Sequence, residues 1–312
     1  MYRELKLFAC RAASELASEV AERLALPLGG VDVFKFPNDN TFVRITENVR
    51  ETDVFVFQTS CPPVDENLLE LLIMLDTVKR ASAARVTAVM SYFPYVRSDK
   101  KDQPRVPITA RLVADLLVTA GADRIITMDL TADQIQGFFS VPSDHLTAVP
   151  ILANYYRERI DCSNLVVLAP DPGAVKRARK CAQRLGAPLV FLDKRRLDDS
   201  GAVEVTTIVG SVAGKDVLFF DDEIDSAGTL TLAVNEVIRA GASRCFAAAS
   251  HGVFSPPAFE RIRSSPLVEV TVTNSVPVGQ APPAVKILSV AGLFAEAIRR
   301  THNGESITSL FL

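Results

Sequence analysis

The sequence predicts an α/β protein with two similar lobes, each a mainly parallel sheet flanked by helices. Three observations support this prediction. The chain has 312 residues, more than the roughly 100–200 of one typical domain. Short runs rich in Val, Ile and Phe alternate with amphipathic helical stretches, and one strand–loop–helix–strand pattern occurs twice. Strands separated by helices in this way form parallel sheets that are covered on both faces.

The predicted elements follow one another along the chain, and each is assigned from its hydrophobic period and its turn residues. In the first half we expect strands at 54–57, 85–90 and 124–128 and helices at 67–80 and 108–120. In the second half we expect strands at 165–168, 188–192 and 217–220 and helices at 173–185, 230–239 and 290–300. The Pro-rich stretch 276–283 is predicted to be a loop.

The internal repeat consists of two stretches that begin at Val54 and Val217. Each starts with four apolar residues, passes through a loop and a helix, and ends in a small-residue turn with an Arg before the next strand. Two occurrences indicate a duplicated domain rather than a solenoid. We therefore place two domains at 1–149 and 150–312.

Composition excludes several classes of protein. Hydrophobic residues make up 48% of the chain and the net charge is −3, which argues against nucleic acid or an anionic membrane as a partner. The first 24 residues have acidic residues and helical spacing, unlike a signal peptide, and no apolar run reaches the ~18 residues of a membrane span. Five cysteines without CxxC spacing favour a reduced compartment. We predict a cytoplasmic protein.

The strongest chemical signal lies in residues 217–229. An apolar strand delivers Asp221 and Asp222 to its carboxyl end, where ligands bind in open α/β sheets. A short loop of small and hydroxyl residues then opens a helix, whose first N–H groups can bind a phosphate, and Gly228 permits close approach of the backbone. The carboxylates suit ribose hydroxyls or a Mg²⁺ shell. An acidic helix cap would explain one Asp but not the pair.

This segment resembles the PRPP-binding motif of the type I phosphoribosyltransferase fold, and further motifs narrow the resemblance to class I ribose-phosphate pyrophosphokinases. Those motifs are LLIML at 71–75, KRASA at 79–83, MDL at 128–130, QIQGFF at 134–139, DKRR at 193–196 and AEAIRRTH at 295–302. The resemblance covers essentially the whole chain. It implies two phosphoribosyltransferase-like lobes, Mg²⁺, and transfer of the pyrophosphoryl group of ATP to the C1 hydroxyl of ribose 5-phosphate, with release of AMP. It also implies a homo-oligomer, a hexamer built from dimers.

The resemblance assigns roles to individual residues. Lys194 and Arg196 match a catalytic Lys and its Arg partner, and two cations at a strand end can stabilise a transferring phosphoryl group. Asp171 matches a Mg²⁺-associated position, although such an Asp is otherwise a turn former. The ribose 5-phosphate site comprises Asp221, Asp222, Asp225, Ser226, Ala227, Gly228 and Thr229. The ATP site comprises Asn38, Asp39, Asn40, Arg97 and Ser98. A regulatory phosphate site, expected at a subunit interface, comprises Pro104, Arg105, Asp133, Gln136, Asp144, His145, Ser306, Thr308 and Phe311.

The departures from the family lie on the ATP and regulatory sides. Thr131, a second candidate metal position, stands where the family has a His that contacts Mg²⁺–ATP. Its hydroxyl can hold a metal-bound water but cannot replace an imidazole as ligand or cation. Ser98 replaces a Gln, and Asn40 replaces a Glu that helps to select adenine. Asp133 places a carboxylate where the family has Ser, and Pro104 removes an N–H donor. We therefore expect inorganic phosphate not to activate this protein.

Three hypotheses follow. The first is an active pyrophosphokinase with a modified nucleotide site, favoured by the presence of Lys194 and Arg196. The alternative is a weakly active or non-catalytic paralogue that binds ribose phosphate or nucleotide and assembles with an active subunit, favoured by Thr131. A phosphoribosyltransferase is a third possibility, against which the doubled length and the DKRR segment argue.

Overall fold

The computed structural model describes residues 4–196 and 204–310, and of residues 194–196 and 204–206 it describes only the backbone. The chain forms two compact units. The first comprises Met1–Thr147, Ser275–Pro277 and Ser289–Leu312, and the second comprises Ala148–Asn274 and Val278–Leu288. The domain limits at 1–149 and 150–312 stay a prediction.

The first unit contains a five-stranded parallel sheet and a separate antiparallel hairpin. Its strands are β1 (Leu5–Ala9), β2 (Val31–Lys35), β3 (Thr41–Ile45), β4 (Asp53–Gln58), β5 (Arg85–Met90), β6 (Arg124–Met128) and β7 (Ser143–Leu146), and its first helices are α1 (Ser14–Leu24), α2 (Val64–Arg80) and α3 (Thr109–Thr119). The parallel sheet has the order β1-β4-β5-β6-β7, and β2 pairs with β3. Helix α2 buries Leu71, Met74, Leu75 and Val78, the spacing of one helical face.

The second unit contains a seven-stranded sheet in the order β10-β9-β8-β11-β12-β13-β14. The strands are β8 (Leu165–Ala169), β9 (Leu189–Arg196), β10 (Glu204–Val209), β11 (Asp216–Ile224), β12 (Arg244–Gly252), β13 (Leu267–Thr273) and β14 (Val285–Leu288), and the helices are α4 (Val149–Arg157), α5 (Val175–Leu185), α6 (Gly228–Arg239) and α7 (Ala258–Ser264). Every neighbouring pair is parallel except β9 with β10.

The last helix, α8 (Ala291–Asn303), belongs to the first unit. The ring of Phe294 meets that of Phe57 edge-on at 5.1 Å between centroids. His302 Nδ1 lies 2.8 Å from Asp53 Oδ2, and Arg85 donates to the carbonyl of Thr301 at 3.0 Å. These contacts fasten the helix to β4 and β5.

The predicted α/β alternation is confirmed, although the prediction did not include β2, β3, β7, β10, β13 and β14. Three predicted segments also differ from the structure. The first 24 residues begin with β1 rather than with helical structure throughout, because residues 5–9 pair with β4. Strand β9 continues beyond residue 192 because β10 pairs with its second half. Strand β11 continues beyond residue 220 to Ile224 because β12 runs alongside it. In each case a neighbouring strand sets the limit.

The internal repeat is confirmed at the level of single residues. Strands β4 and β11 begin with Asp53 and Asp216, whose neighbours on the next strand are Arg85 and Arg244. Each Arg donates from Nε to its Asp, at 2.7 Å in the first unit and 3.0 Å in the second. The two stretches therefore share a common register.

Two further observations concern the whole of the described chain. All five cysteines are free thiols, in agreement with their predicted reduced state. Among residues 4–196 and 204–310, we find no helix whose length and hydropathy would let it cross a bilayer.

Candidate functional site

The carboxylates Asp221 and Asp222 lie inside β11 rather than in the loop after it. The strand holds them in register with β12, where Asp221 is opposite Ala249. The Asp221 side chain is 25% exposed and that of Asp222 is 6% exposed. A regular strand positions side chains more rigidly than a loop does, so one partly accessible carboxylate is held beside a buried one.

Arg177 of helix α5 joins the two carboxylates. Its Nη1 lies 3.1 Å from Oδ1 of Asp221 and 3.1 Å from Oδ1 of Asp222. The guanidinium is itself only 17% exposed. A single partly buried cation is thus shared by two neighbouring carboxyl groups, and this contact lies within the second unit.

The environment of Asp221 disfavours its ionised form. Burial raises the pKa of Asp221 well above its ordinary value, and the neighbouring Asp222 carboxylate adds to that shift, while Arg177 opposes it. Perturbed carboxylates of this kind are concentrated at functional sites. A ligand that donates hydroxyl hydrogens, or a cation, would relieve the same repulsion.

The loop between β11 and α6 is only three residues long and has a special backbone conformation. Ala227 has φ 58°, in the left-handed region, and α6 begins at the next residue, Gly228. A left-handed residue beside right-handed ones turns successive N–H groups to one side, the backbone pattern of anion-binding nests. Thr231 Oγ1 donates to the carbonyl of Ala227 at 3.0 Å, so the first turn of the helix is tied to the loop.

The loop is also held from helix α7. Arg261 donates from Nη1 to the carbonyl oxygen of Ser226 at 2.9 Å. A Cβ added to Gly228 would lie 3.0 Å from the same nitrogen. Gly228 therefore leaves room for the guanidinium, a close approach that the sequence does not reveal.

Asp171 lies in the turn after β8, as predicted. Its Oδ1 accepts a hydrogen bond from the N–H of Ala174 at 3.0 Å and caps a short 3₁₀ helix, Pro172–Ala174. This is the turn-forming role that the sequence left open. A metal role for Asp171 stays a prediction.

The donor set near β11 suits Mg²⁺ bound together with a substrate. The available side chains are carboxylates, the oxygen ligands that Mg²⁺ prefers. Within the described part of the chain, no group of three or more His, Cys, Asp or Glu side chains could hold a metal ion. Mg²⁺ usually takes only one or two carboxylates and completes its shell with water and substrate phosphates, so the residues present fit that mode of binding.

The predicted catalytic pair, Lys194 and Arg196, lies at the end of β9. The backbone of both residues pairs antiparallel with β10, with Lys194 opposite Thr206. Their side chains are outside the described part of the structure, so their roles stay predictions.

Three of the predicted ATP residues form the turn of the β2–β3 hairpin. Asp39 has φ 67° and its Oδ1 accepts from Lys35 Nζ at 2.9 Å. Asn38 and Asn40 flank it, and all three side chains are exposed. Beside the turn, the rings of Phe34, Phe36 and Phe42 pack against one another with centroids 4.8–5.5 Å apart.

The other predicted ATP residues, Arg97 and Ser98, lie in the loop before α3, and Thr131, a predicted metal position, follows β6. The Ser98 hydroxyl accepts from the N–H of Thr109 at 3.3 Å, and its carbonyl accepts from the N–H of Ala110 at 3.2 Å, so Ser98 caps helix α3. Arg97 has an exposed side chain, and Thr131 is half-buried. In the unit as described, the Ser98 hydroxyl serves the helix.

The predicted regulatory residues are spread over several elements of the first unit. Asp133 is exposed and Gln136 half-buried on a 3₁₀ helix, Asp133–Phe138. Asp144 forms a 2.5 Å salt bridge with Arg124, so its charge is already balanced. The remaining residues are exposed or half-buried, except Phe311, which lies outside the described residues; they are Pro104, Arg105, His145, Ser306 and Thr308.

Sequence reasoning missed Arg177 and Arg261. The signal for Arg177 was its helical phase: it precedes the buried Cys181 by four residues and Leu185 by eight, so a cation stands on an apolar helix face. Arg261 similarly follows the buried Ala258 by three residues. A charge on the buried face of a helix requires a partner, which for both arginines is a group on a distant segment of the chain.

Comparison with known proteins gives the family. The model described as the N-terminal domain of ribose phosphate pyrophosphokinase matches residues 5–121, and that described as the phosphoribosyl synthetase-associated domain matches residues 202–312. A ribose-phosphate pyrophosphokinase of Caldanaerobacter subterraneus is 48% identical over 309 residues, 98% of either chain. That of Bacillus caldolyticus is 49% identical over 310 residues, 99% of this chain and 98% of the relative.

A solved structure agrees with these relatives. The phosphoribosylpyrophosphate synthetase of Mycobacterium smegmatis superposes with a TM-score of 0.92 at 43% sequence identity. The superposition covers 97% of this chain and all of the other. The fold class predicted from the sequence is thereby confirmed.

Proposed function

The chain belongs to the ribose-phosphate pyrophosphokinase family, and from that premise we propose that it transfers the pyrophosphoryl group of Mg²⁺–ATP to the C1 hydroxyl of ribose 5-phosphate, giving PRPP and AMP. The observation that carries the proposal is the β11–α6 segment. It combines the Asp221–Asp222 pair with a left-handed residue and a helix start within eight residues.

The ribose 5-phosphate is bound along this segment. Asp221, the more exposed carboxylate, accepts hydrogen bonds from ribose hydroxyls, which are donors. The N–H groups of 225–229 bind the 5-phosphate, with Ser226 and Thr229 adding hydroxyl donors. Together the two contacts fix both ends of the sugar and orient its C1 hydroxyl.

Transfer depends on positioning and charge rather than on a covalent intermediate. The C1 oxygen attacks the β-phosphorus of ATP and releases its hydroxyl proton to solvent. The bond from that phosphorus to the oxygen it shares with the α-phosphate breaks, and AMP leaves with that oxygen. Lys194 and Arg196 stabilise the charge that spreads over the phosphoryl oxygens. Mg²⁺ would neutralise the ATP phosphate oxygens, and Asp171 is the residue that would help to hold it.

The nucleotide is bound by residues of the first unit. We assign it to Asn38, Asp39 and Asn40 in the hairpin turn and to Arg97 and Ser98, and Thr131 would hold a water molecule bound to Mg²⁺. Asn40 can donate as well as accept hydrogen bonds, so this site accepts bases other than adenine more readily than one with a Glu. The regulatory residues, the homo-oligomeric assembly and the cytoplasmic location are proposed on the same family basis.

The reaction is tested by the appearance of AMP. Purified protein is incubated with Mg²⁺ and ATP, with and without ribose 5-phosphate, and AMP and PRPP are quantified. We expect both products only when ribose 5-phosphate is present, and a loss of turnover much larger than any loss of binding in Lys194→Ala. Binding of ribose 5-phosphate without any AMP would instead identify a non-catalytic paralogue.

A further inference from the structure

We propose that Arg261 is a positioning residue for the phosphate group of ribose 5-phosphate. It holds the loop between β11 and α6 in its anion-binding conformation and places a positive charge behind that loop. The inference rests on the proposed function, from which it takes the role of residues 225–229 in binding the phosphate.

The contact of Arg261 fixes the direction of one loop N–H group. Its guanidinium donates to the carbonyl oxygen of Ser226 at 2.9 Å. That carbonyl shares a planar trans peptide unit with the N–H of Ala227, so the two groups point in opposite directions. Anchoring the carbonyl on Arg261 therefore aims the Ala227 N–H away from Arg261, toward the side left for the anion.

The anchored peptide unit is the one that most needs support. Ala227 has φ 58°, a conformation that costs free energy in a residue with a Cβ atom. Such a conformation persists only where the surroundings hold it in place. A charged donor forms a stronger hydrogen bond than a neutral one, and Arg261 supplies it to the adjoining carbonyl.

The first residue of α6, Gly228, leaves space for the guanidinium of Arg261. A methyl group at Gly228 would lie 3.0 Å from Nη1 and 3.6 Å from Cζ of Arg261. The absence of a side chain thus lets the cation lie against the backbone at the helix start. There its charge adds to the positive end of the helix dipole.

The charge of Arg261 is available to an anion. No carboxylate forms a salt bridge with it among the residues that the structure describes, whereas Arg177, in the same unit, is shared between Asp221 and Asp222. Two positive contributions, the helix start and Arg261, therefore converge on the loop, and a phosphate is the group that complements them.

Helix α7 offers a matched control. Arg263 lies two residues further along the same helix and its side chain is exposed. Arg263→Met removes the same charge and a similar side-chain length without touching the loop. The test compares wild type, Arg261→Met, Arg261→Lys and Arg263→Met, each as the full chain.

The first measurement is calorimetric titration with ribose 5-phosphate. We expect Arg261→Met to weaken binding about tenfold or more, the usual effect of losing a charged hydrogen bond. Arg261→Lys, which keeps the charge and a donor, should recover most of the affinity, and Arg263→Met should match wild type. The KM for ATP at saturating ribose 5-phosphate should stay unchanged in all of them, and circular dichroism checks that each variant is folded. Binding by Arg261→Met within twofold of wild type overturns the inference.

The second measurement is amide hydrogen exchange of 225–229 without any ligand. We expect faster exchange in Arg261→Met and wild-type exchange in Arg263→Met, because only the first releases the loop. Unchanged exchange in Arg261→Met contradicts the inference. A wild type that binds no ribose 5-phosphate counts against the proposed function instead, so the two failures are distinguishable. Should Arg261→Met not fold, Arg261→Gln takes its place with the same expectations.

Discussion

Strand β4 with its following loop, and strand β11 with its own, are two versions of one structure with opposite chemistry. Both strands begin with an Asp paired to an Arg on the next strand, and counting from those pairs places Gln58 and Asp221 at the same position. Their neighbours on the next strand are Met90 and Ala249. An amide in the first unit thus corresponds to a carboxylate in the second.

The two positions share one local contact and then diverge. The Gln58 side-chain oxygen accepts from the next N–H, that of Thr59, at 2.9 Å, and Asp221 Oδ1 accepts from the N–H of Asp222, also at 2.9 Å. The remaining group of Gln58 is used internally, since Nε2 donates to the carbonyl of Asn67 at 2.8 Å. Asp221 instead faces Arg177 with a partly exposed carboxylate.

The polar side chains that follow β4 form hydrogen bonds within the first unit. Asn67, buried in the first turn of α2, donates to the carbonyl of Cys61 at 2.8 Å, and the Thr59 hydroxyl donates to the carbonyl of Ser275 at 2.7 Å. Buried neutral groups that hydrogen-bond to one another stabilise the fold. The same strand–loop–helix structure therefore has two uses. In the first unit the Gln58 amide stabilises the fold, and in the second the Asp221 carboxylate is available to bind a ligand.

The largest expected effect is the loss of ribose 5-phosphate binding in Asp221→Ala. Removing the carboxylate takes away the acceptor for the ribose hydroxyls, so we expect about a 100-fold weaker affinity by calorimetry. The fold should persist, because Arg177 keeps Asp222 as a partner. Wild-type affinity in this variant would place the ribose elsewhere.

A second change, Gln58→Leu, sharpens the comparison from the other side. It removes the side-chain amide that hydrogen-bonds to the buried N–H of Thr59 and to the carbonyl of Asn67. Because both groups then lose a partner, we expect the free energy of unfolding to fall by about 2 kcal/mol. Denaturant unfolding measures this loss. Ribose 5-phosphate affinity should be unchanged; a parallel loss of affinity would contradict the separation of roles.

The smallest expected effect concerns stability against pH in Asp221→Asn. Because the folded-state pKa of Asp221 is raised, this residue contributes stability at low pH that is lost as the pH rises from the ordinary Asp range, about 4, through the raised value. Asn does not ionise, so the variant should be the more stable protein at pH 7, by about 1 kcal/mol. The difference in melting temperature should shrink toward pH 4. A variant less stable at pH 7 would show that the carboxylate is not under strain there.

The sequence could predict those elements whose hydrophobic pattern is determined by their own residues. The buried run at β4 and the helical spacing of α2 contain their own signals. The ends of β9 and β11 do not, because they depend on pairing with β10 and β12. The carboxylate pair was found from its own neighbourhood in the chain.

The partners of the site could not be predicted in the same way. Arg177 reaches Asp221 from 44 residues away, and Arg261 reaches Ser226 from 35 residues away. Nothing in either local pattern names the partner, since only the fold brings the segments together. The same limit applies to Gln58 and Asn67, whose amides are identified as a closed network only when their hydrogen bonds are known.

The central claim is that ribose 5-phosphate binds at the carboxyl end of β11 and not at the equivalent end of β4. A crystal structure of the wild type soaked with ribose 5-phosphate and Mg²⁺ tests it directly. We predict density for the phosphate within hydrogen-bonding distance of the N–H groups of 226–229, and for the ribose hydroxyls beside Asp221. Density for the sugar phosphate beside Gln58, with the β11–α6 loop empty, would contradict the account.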